Sequence, residues 1–449
     1  MQFCITLHQF NFQRYLHNLM KVLLYTKNST SRLRYICHFI FKDLLNTDFS
    51  IISDGEEFKN ADGVKINYSN ATICEKEVQV LPVGLLFEQY IIAQKIECID
   101  INNQKVFFKT SSTDFPFDIF AASFYLLSRY EEYLPHQKDM YGRYAHENSL
   151  AFKEGFLNTP LVNIWAKNFA VAIQKKNQSF SFQLSTFNFT PTYDIDIAYS
   201  YQHKGLIRNI GGFLKAPSLE RVKVLCGLNR DPFDSYDWLN TLHEKYQLSP
   251  IYFFLLAAKN SLYDKNISPA TNGMQQLVGN IANKYTIGIH PSWQSGDEAA
   301  LLKKEKQLLE TMSEKTVAIS RQHYIRFNLP EGYRRLSEVD ITDDYSMGYG
   351  SINGFRASVA SAFNWYDLEK EETTDLRIHP FCFMEANSYY EQKLTPLAAF
   401  EELMHYYNIC KQSSGSLITI WHNHMLRSGK LYKGWGDTYE KFLQTISNP

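Results

Sequence analysis

The sequence predicts an α/β chain in two parts, a carboxyl-terminal (β/α)7 barrel over residues 183–449 preceded by a smaller α+β domain over residues 20–182. Three observations carry that expectation. At 449 residues the chain is too long for one ordinary hydrophobic core, so two domains are expected. Beyond residue 183, short apolar runs of strand character alternate with runs of helical spacing, which is the pattern of a parallel sheet. The polar stretch Lys175-Lys176-Asn177-Gln178-Ser179 separates that alternation from what precedes it and reads as a boundary.

The elements follow in order. Residues 20–25 read as the first strand, which makes residues 1–19 an extension upstream of the fold. Residues 78–83 and 105–108 read as strands, and residues 117–133 carry apolar side chains at helical spacing. The tip of that helix, Ser128-Arg129-Tyr130-Glu131-Glu132, is expected to be solvated. In the second part, strands are expected at 187–192, 251–256, 285–289, 317–320, 340–342, 378–384 and 417–421. Helices are expected at 298–315 and 396–411, the latter with Thr395 as N-cap and Pro396 at its first position.

Composition excludes several classes. A formal net charge of -1 leaves no basic excess for a nucleic-acid footprint. No window approaches the ~18 uninterrupted apolar residues of a membrane helix, and the amino terminus lacks the apolar core of a secretory signal. The seven cysteines are scattered without a C-x-x-C pair. A reduced, cytoplasmic protein without disulfides or cysteine-bound metal is therefore expected.

The informative stretch is Phe187-Asn188-Phe189-Thr190-Pro191-Thr192-Tyr193-Asp194-Ile195-Asp196. Its acids are spaced i, i+2, which on an extended segment puts both side chains on one face. Two carboxylates converging on one point call for a bound cation or a shared proton. In a (β/α) barrel the chemistry sits at the carboxyl ends of the strands, and those ends deliver polar residues repeatedly. They are Gly288-Ile289-His290-Pro291-Ser292-Trp293, Arg321-Gln322-His323-Tyr324, Asp343-Asp344-Tyr345, His379, and Trp421-His422-Asn423-His424.

The order and context of these segments resemble the NodB-homology polysaccharide deacetylases, carbohydrate esterase family 4. Thr192-Tyr193-Asp194-Ile195-Asp196 resembles that family's T-x-D-x-D motif, and Gly288-Ile289-His290 matches the start of G-x-H-[ST]-x-x-H. Arg321-Gln322-His323-Tyr324 resembles R-x-P-[FY], and Ile418-Thr419-Ile420-Trp421-His422 resembles the apolar strand ending in L-x-H. The resemblance covers residues 185–449. The amino-terminal part is similar to the accessory region of a deacetylase-like subfamily of Bacteroidetes.

The resemblance implies removal of acetyl from an N-acetylated sugar, with Asp194 as general base, Asp196 and His290 holding a divalent metal such as zinc, and His422 as general acid. Arg321 pairs with Asp194 in this reading, and Arg356 is its rival. Where the family has a second metal-binding histidine, this chain has Gln294. The third ligand is left open among His424, His379 and His323, with Gln294 as a hydrogen-bond donor in a metal-free variant. Trp293, Tyr345, Tyr349 and Trp421 are candidate surfaces for a sugar ring. The cytoplasmic expectation points to a soluble or lipid-linked glycan precursor as substrate. Alternatives are a catalytically degenerate carbohydrate-binding barrel, a metal-independent amide hydrolase, and a glycoside hydrolase, which needs acids ~5–9 Å apart across the scissile bond.

Overall fold

The computed structural model describes residues 21–178, 180–427 and 431–447. The proposed upstream extension, and Ser179 of the boundary stretch, lie outside the described residues. The chain is a mixed α/β fold built on two parallel-stranded sheets. The first contains β1 (Val22–Tyr25), β2 (Phe49–Ile52), β3 (Val64–Asn67) and β4 (Val78–Gln79), ordered β2-β1-β3-β4. Its ladders are all parallel, so this part has an α/β sheet where an α+β one was expected. An antiparallel hairpin, β5 (Ile99–Ile101) and β6 (Gln104–Val106), follows.

The second sheet has nine strands. They are β7 (Asn188–Ile195), β8 (Ile251–Leu255), β9 (Thr286–His290), β10 (Ile319–Ser320), β11 (Asp343–Asp344), β12 (Phe363–Asp367), β13 (Glu372–Ile378), β14 (Phe383–Met384) and β15 (Ser416–His422). The spatial order is β12-β13-β11-β10-β9-β8-β7-β15-β14. Every ladder is parallel except β12 against β13. This is a row with two ends, and no ladder among the described residues joins β14 back to the other edge.

Several boundaries differ from the sequence reading for physical reasons. The run expected at 378–384 is two strands, because His379 and Pro380 turn the chain out of β13 before β14 begins. The strand expected at 340–342 lies later, at β11, since Asp340 has φ 57° and ends a turn. The β12–β13 hairpin was missed because β13 (ETTDLRI) has a polar outer face. The helix Pro396–Gln412 forms as expected, with Thr395 accepting from the Ala398 N–H.

The long apolar segment after Phe117 is a helix only over Ile119–Leu127. Arg129 adopts a left-handed conformation with φ 54°, and a 3-10 turn over Tyr130–Tyr133 follows. Its tip is not solvated. Arg129, Glu132 and Arg356 are all buried. Arg129 Nε donates to Glu132 Oε1 at 2.7 Å, and Arg356 donates through Nε at 2.8 Å and Nη2 at 2.5 Å to the two oxygens of the same carboxylate. Arg356 is therefore committed to Glu132 and not to Asp194, which corrects its candidacy as a site residue.

This network ties the first part of the chain to the second, and the apolar packing does the same. The helix Ser31–Cys37 covers the outer edge of the nine-stranded sheet, with Tyr35 Oη donating to the Asn364 carbonyl at 2.8 Å. Arg32 Nε reaches Glu371 Oε2 at 2.9 Å, and Tyr35 and Phe124 pack against Tyr366. Covering an edge in this way removes its free carbonyls from pairing with another chain. One continuous hydrophobic cluster runs from Val22 to Leu443. The cysteines among the described residues are free, and no described helix is long and apolar enough to cross a membrane.

Glu132 gives the first prediction. Burial opposes its charge, but Arg356 and then Arg129 outweigh burial and hold its carboxyl at about 2. A carboxyl depressed in the folded state contributes stability that is present above its unfolded value of ~4.5 and is lost as pH falls toward 2. Glu132→Gln removes the charge that holds Arg356, while Arg129 keeps Glu131 at 2.8 Å, and is expected to cost about 3–5 kcal/mol at neutral pH. Urea denaturation at pH 7 and pH 3 should show a large loss for the variant at pH 7 and a smaller gap between the two proteins at pH 3.

Candidate functional site

Pairing register places the chemistry. His422, the last residue of β15, lies opposite Asp194 of β7, and Leu255 at the end of β8 lies opposite His290 at the end of β9. The carboxyl ends of these strands open on a cavity of about 490 Å³ lined by Asp194, Asp196, His290, His323, His422 and His424, among others.

Arg321 organises the floor. It is fully buried and its Nη1 donates to Asp194 Oδ1 at 2.8 Å and to Thr192 Oγ1 at 2.6 Å. Its Nε donates to the Tyr345 carbonyl at 3.0 Å, and its guanidinium lies 4.3 Å from the centre of the Phe253 ring. Gly288 leaves room for that ring, since a Cβ there would fall 2.6 Å from Phe253 and 2.9 Å from the Ile319 carbonyl oxygen. Of the two arginines weighed for Asp194, the structure pairs Arg321 with it.

Three histidines present Nε2 to Asp196. His290 Nε2 is 3.1 Å from Oδ1, His422 Nε2 is 3.5 Å from Oδ2, and His323 Nε2 is 3.7 Å from Oδ2. Each has Nδ1 engaged by a group that can only accept. His290 Nδ1 donates to the Arg321 carbonyl at 2.5 Å, His323 Nδ1 to Asp264 Oδ1 at 3.1 Å, and His422 Nδ1 to Glu385 Oε1 at 3.0 Å. A neutral imidazole so engaged keeps its Nε2 lone pair for the cavity.

One ligand atom from each of Asp196, His290 and His323 lies within 4.8 Å of the other two. Asp196 Oδ1 is buried and accepts no hydrogen bond, despite its short approach to His290. Bare imidazole nitrogens facing an unpartnered carboxylate oxygen are the donor set a divalent cation takes, and the carbonyl and carboxylate behind them are the outer partners that orient such ligands. The residues fit a metal ion.

Electrostatics around Asp196 are strongly coupled. Burial opposes its charge, but His323, His290 and His422 hold it well below the usual carboxylate range. Burial likewise opposes charge on His323, yet Asp196 and Asp264 raise it to about 9. For His422, Glu385 followed by Asp196 and Asp194 overcomes burial and raises it to about 10. His424 is pushed down to about 3 by burial and by His422.

The remaining candidates are placed as follows. His424 does not continue the strand beyond His422; it sits on the short helix Asn423–Leu426 and lines the cavity with an unpartnered, buried Nδ1. His379 lies outside the cavity, bonded through Nε2 to Asp343 at 2.7 Å and stacked on Tyr345 at 4.3 Å. Gln294 is exposed in the turn after β9, so it takes no ligand place. Tyr345, Tyr349 and Trp421 are buried core residues outside the cavity lining and offer no ring to a ligand.

Four residues escaped the sequence reading. Asp264 and Glu385 orient two of the histidines; the acid directly after the short apolar run Phe383-Met384 was a signal for Glu385, whereas nothing local marked Asp264. Tyr141 and Arg143 arrive from the first part of the chain and line the cavity. Arg143 Nη1 donates to the Tyr324 carbonyl at 2.7 Å, holding Tyr324 at φ 59°. Tyr141, Tyr263 and Tyr324 form an aromatic rim, with Trp293 stacked on Tyr263 at 3.7 Å.

A model of a family of unknown function, DUF7033, matches residues 22–178. Among curated proteins no sequence matches this chain. Among solved structures, the chain is similar to a putative polysaccharide deacetylase from Mycobacterium smegmatis at 13% identity and TM-score 0.39, over 59% of this chain and 85% of that one. It is similar to an allantoinase at 8% identity and TM-score 0.39, over the same shares. A probable polysaccharide deacetylase from Pseudomonas aeruginosa aligns at 10% identity and TM-score 0.37, over 58% of this chain and 84% of that one.

Zinc titration into the purified chain is expected to saturate at one ion, read by plasma mass spectrometry after desalting. His290→Ala should lose it. Asp264→Ala, which frees His323 to turn and also removes the acceptor of the Trp293 N–H and the Ser261 hydroxyl, should weaken binding by about 10–100-fold in competition with a chromogenic chelator.

Proposed function

We propose that this chain is a hydrolase of carbon–nitrogen amide bonds other than peptide bonds, of the polysaccharide deacetylase kind, removing acetyl from an N-acetylated sugar. The observation that supports it most is the convergence of His290, His323 and His422 on Asp196 beside an Asp194 locked by Arg321. Asp196, His290 and His323 hold the divalent metal, for which zinc suits the nitrogen and oxygen donors. When bound, that ion acidifies a water and polarises the acyl oxygen.

The chain's own residues do the rest. Arg321 occupies Asp194 Oδ1 and leaves Oδ2, 3.8 Å from His290 Nε2, to take the proton of the attacking water as general base. His422 carries a proton on Nε2, kept there by Glu385 behind it, and gives it to the departing amine as general acid. The aromatic rim of Tyr141, Tyr263 and Tyr324 offers faces to a pyranose ring. In this reading residues 20–182 form an accessory unit that walls the cavity of a deacetylase unit over 183–449, and the substrate is a soluble or lipid-linked cytoplasmic glycan.

A second reading is a catalytically degenerate domain that binds such a glycan without cutting it. Gln294 in place of a second ligand histidine favours it. The carboxylates do not favour a glycosidase: Asp194 and Asp196 share one strand end, and Glu385 is turned behind His422.

Asp194→Asn decides between the first two. Acetate release from N-acetylglucosamine oligomers is expected to fall by at least ~10²-fold, with metal content unchanged and the chain still folded, at an unfolding transition lowered because the buried Arg321 loses its partner charge. Turnover retained in this variant would remove Asp194 from the chemistry, and no acetate release from the metal-loaded wild type on any such oligomer would leave the binding reading.

A further inference from the structure

The connection between β7 and the helix Tyr236–Tyr246 has its amphipathicity inverted. It holds two helices, Leu206–Lys215 and Leu219–Leu225. In the first, Leu206, Ile207, Ile210, Phe213 and Leu214 recur at the spacing of a single helical face, yet all five are exposed, Ile207 to 88%. The inward residue is polar: Asn209 is buried, donating to the Tyr201 and Gly205 carbonyls. In the second helix and just beyond it, Leu219, Val222, Leu225 and Leu228 are also exposed, Leu219 to 80%.

Nine large apolar side chains facing water within 23 residues (206–228) are far more than the scattered exposure normal for a protein surface. The two helices are nonetheless built to stay together. Arg221 Nη1 donates to the Asn209 carbonyl at 3.1 Å and its guanidinium lies 5.0 Å from the centre of the Tyr201 ring. The Asp231 carboxylate accepts the N–H groups of Ser200, Tyr201 and Gln202, fixing the entry to the hairpin.

Charge selects the occupant. Arg208, Lys215 and Lys223 are exposed, and Glu220 is the one acid across residues 204–229, in a chain whose formal net charge is -1. A second copy would bring the same cations face to face. An anionic lipid surface supplies both an apolar layer for the leucines and isoleucines and negative charge for the lysines and arginines, which is how interfacial amphipathic helices bind.

We propose that the helical hairpin 204–228 docks the protein on an anionic membrane surface. The docking stands on this surface alone. Its consequence for substrate rests on the deacetylase reading: Ile197 before the hairpin and Phe233 after it both line the cavity, so a docked hairpin brings the cavity mouth to the bilayer, where a lipid-anchored N-acylated glycan is presented.

Co-sedimentation of the full chain with phosphatidylglycerol–phosphatidylcholine vesicles tests the docking apart from turnover. The chain is expected to partition onto these vesicles, to ignore pure phosphatidylcholine, and to be released by salt. Ile207→Glu with Leu214→Glu should lower partitioning by about tenfold or more, and Lys215→Ala or Lys223→Ala by about fivefold each. All variants should keep the wild-type melting curve and metal content, because none touches the cavity. Absence of partitioning by the wild type, or partitioning that the paired glutamates leave unchanged, overturns the proposal. A dimer in light scattering that the same variants dissolve, without vesicle binding, also overturns it and assigns the face to a second copy.

Discussion

The buried guanidinium of Arg321 is the interaction on which the site depends. It sits where strand β10 ends, with no access to solvent, and is stabilised by an ion pair, two further hydrogen bonds and the Phe253 ring. Its side chain fixes Asp194, and its own carbonyl fixes the tautomer and orientation of His290. One residue thus positions both Asp194 and His290, the groups that serve as base and metal ligand in the proposed reading. Removing a buried cation from such a setting leaves an unpaired carboxylate in a medium that penalises it heavily, so position and charge at this site are inseparable.

The first part of the chain is coupled to that site by polar contacts rather than by proximity alone. Glu132 clamps Arg356 at the base of the interface, and Arg143 reaches the Tyr324 carbonyl at the cavity rim. Tyr324 holds a left-handed backbone, which costs on the order of 1–3 kcal/mol for a residue other than glycine. The hydrogen bond from Arg143 is one of the contacts that over-determine it. The segment that the DUF7033 model matches therefore shapes the rim of a cavity whose floor is built elsewhere.

Much of this was legible in the sequence, and the limits of legibility have physical causes. Long strands with apolar alternation or continuous apolar runs, such as β7, β8 and β15, were visible because their side chains fix their faces. Two-residue strands such as β10 and β11 carry almost no periodicity and were placed loosely. Asp194, Asp196, His290, His323 and His422, which line one cavity, were singled out because each lies at or just beyond the carboxyl end of a strand. His379 follows a strand as well, and turns away to Asp343; a strand end predicts position and not direction. Glu132 and Arg129 read as a solvated tip because charge implies exposure until a partner 224 residues away, Arg356, is known.

Charge balance gives the strongest constraint on what the cavity holds. Four carboxylates touch its histidines and arginine, namely Asp194, Asp196, Asp264 and Glu385, and all but Asp196 are almost wholly buried. Against them stands the buried cation Arg321, paired with Asp194; Arg143, also buried at the cavity, is balanced by its own partner Asp139. With neutral histidines the cluster would keep a charge of minus three, which burial does not tolerate. Protons on His323 and His422 relieve part of it and account for the upward shifts of both. A divalent ion among Asp196, His290 and His323, with one proton left on His422, brings the cluster to neutrality. In the proposed reading the two histidines would then divide their work, His323 as a deprotonated ligand and His422 as the proton donor. The difference between them comes from position: His323 stands among the ligand atoms with Asp196 and His290, while His422 lies across the strand pair from Asp194 with Glu385 at its back.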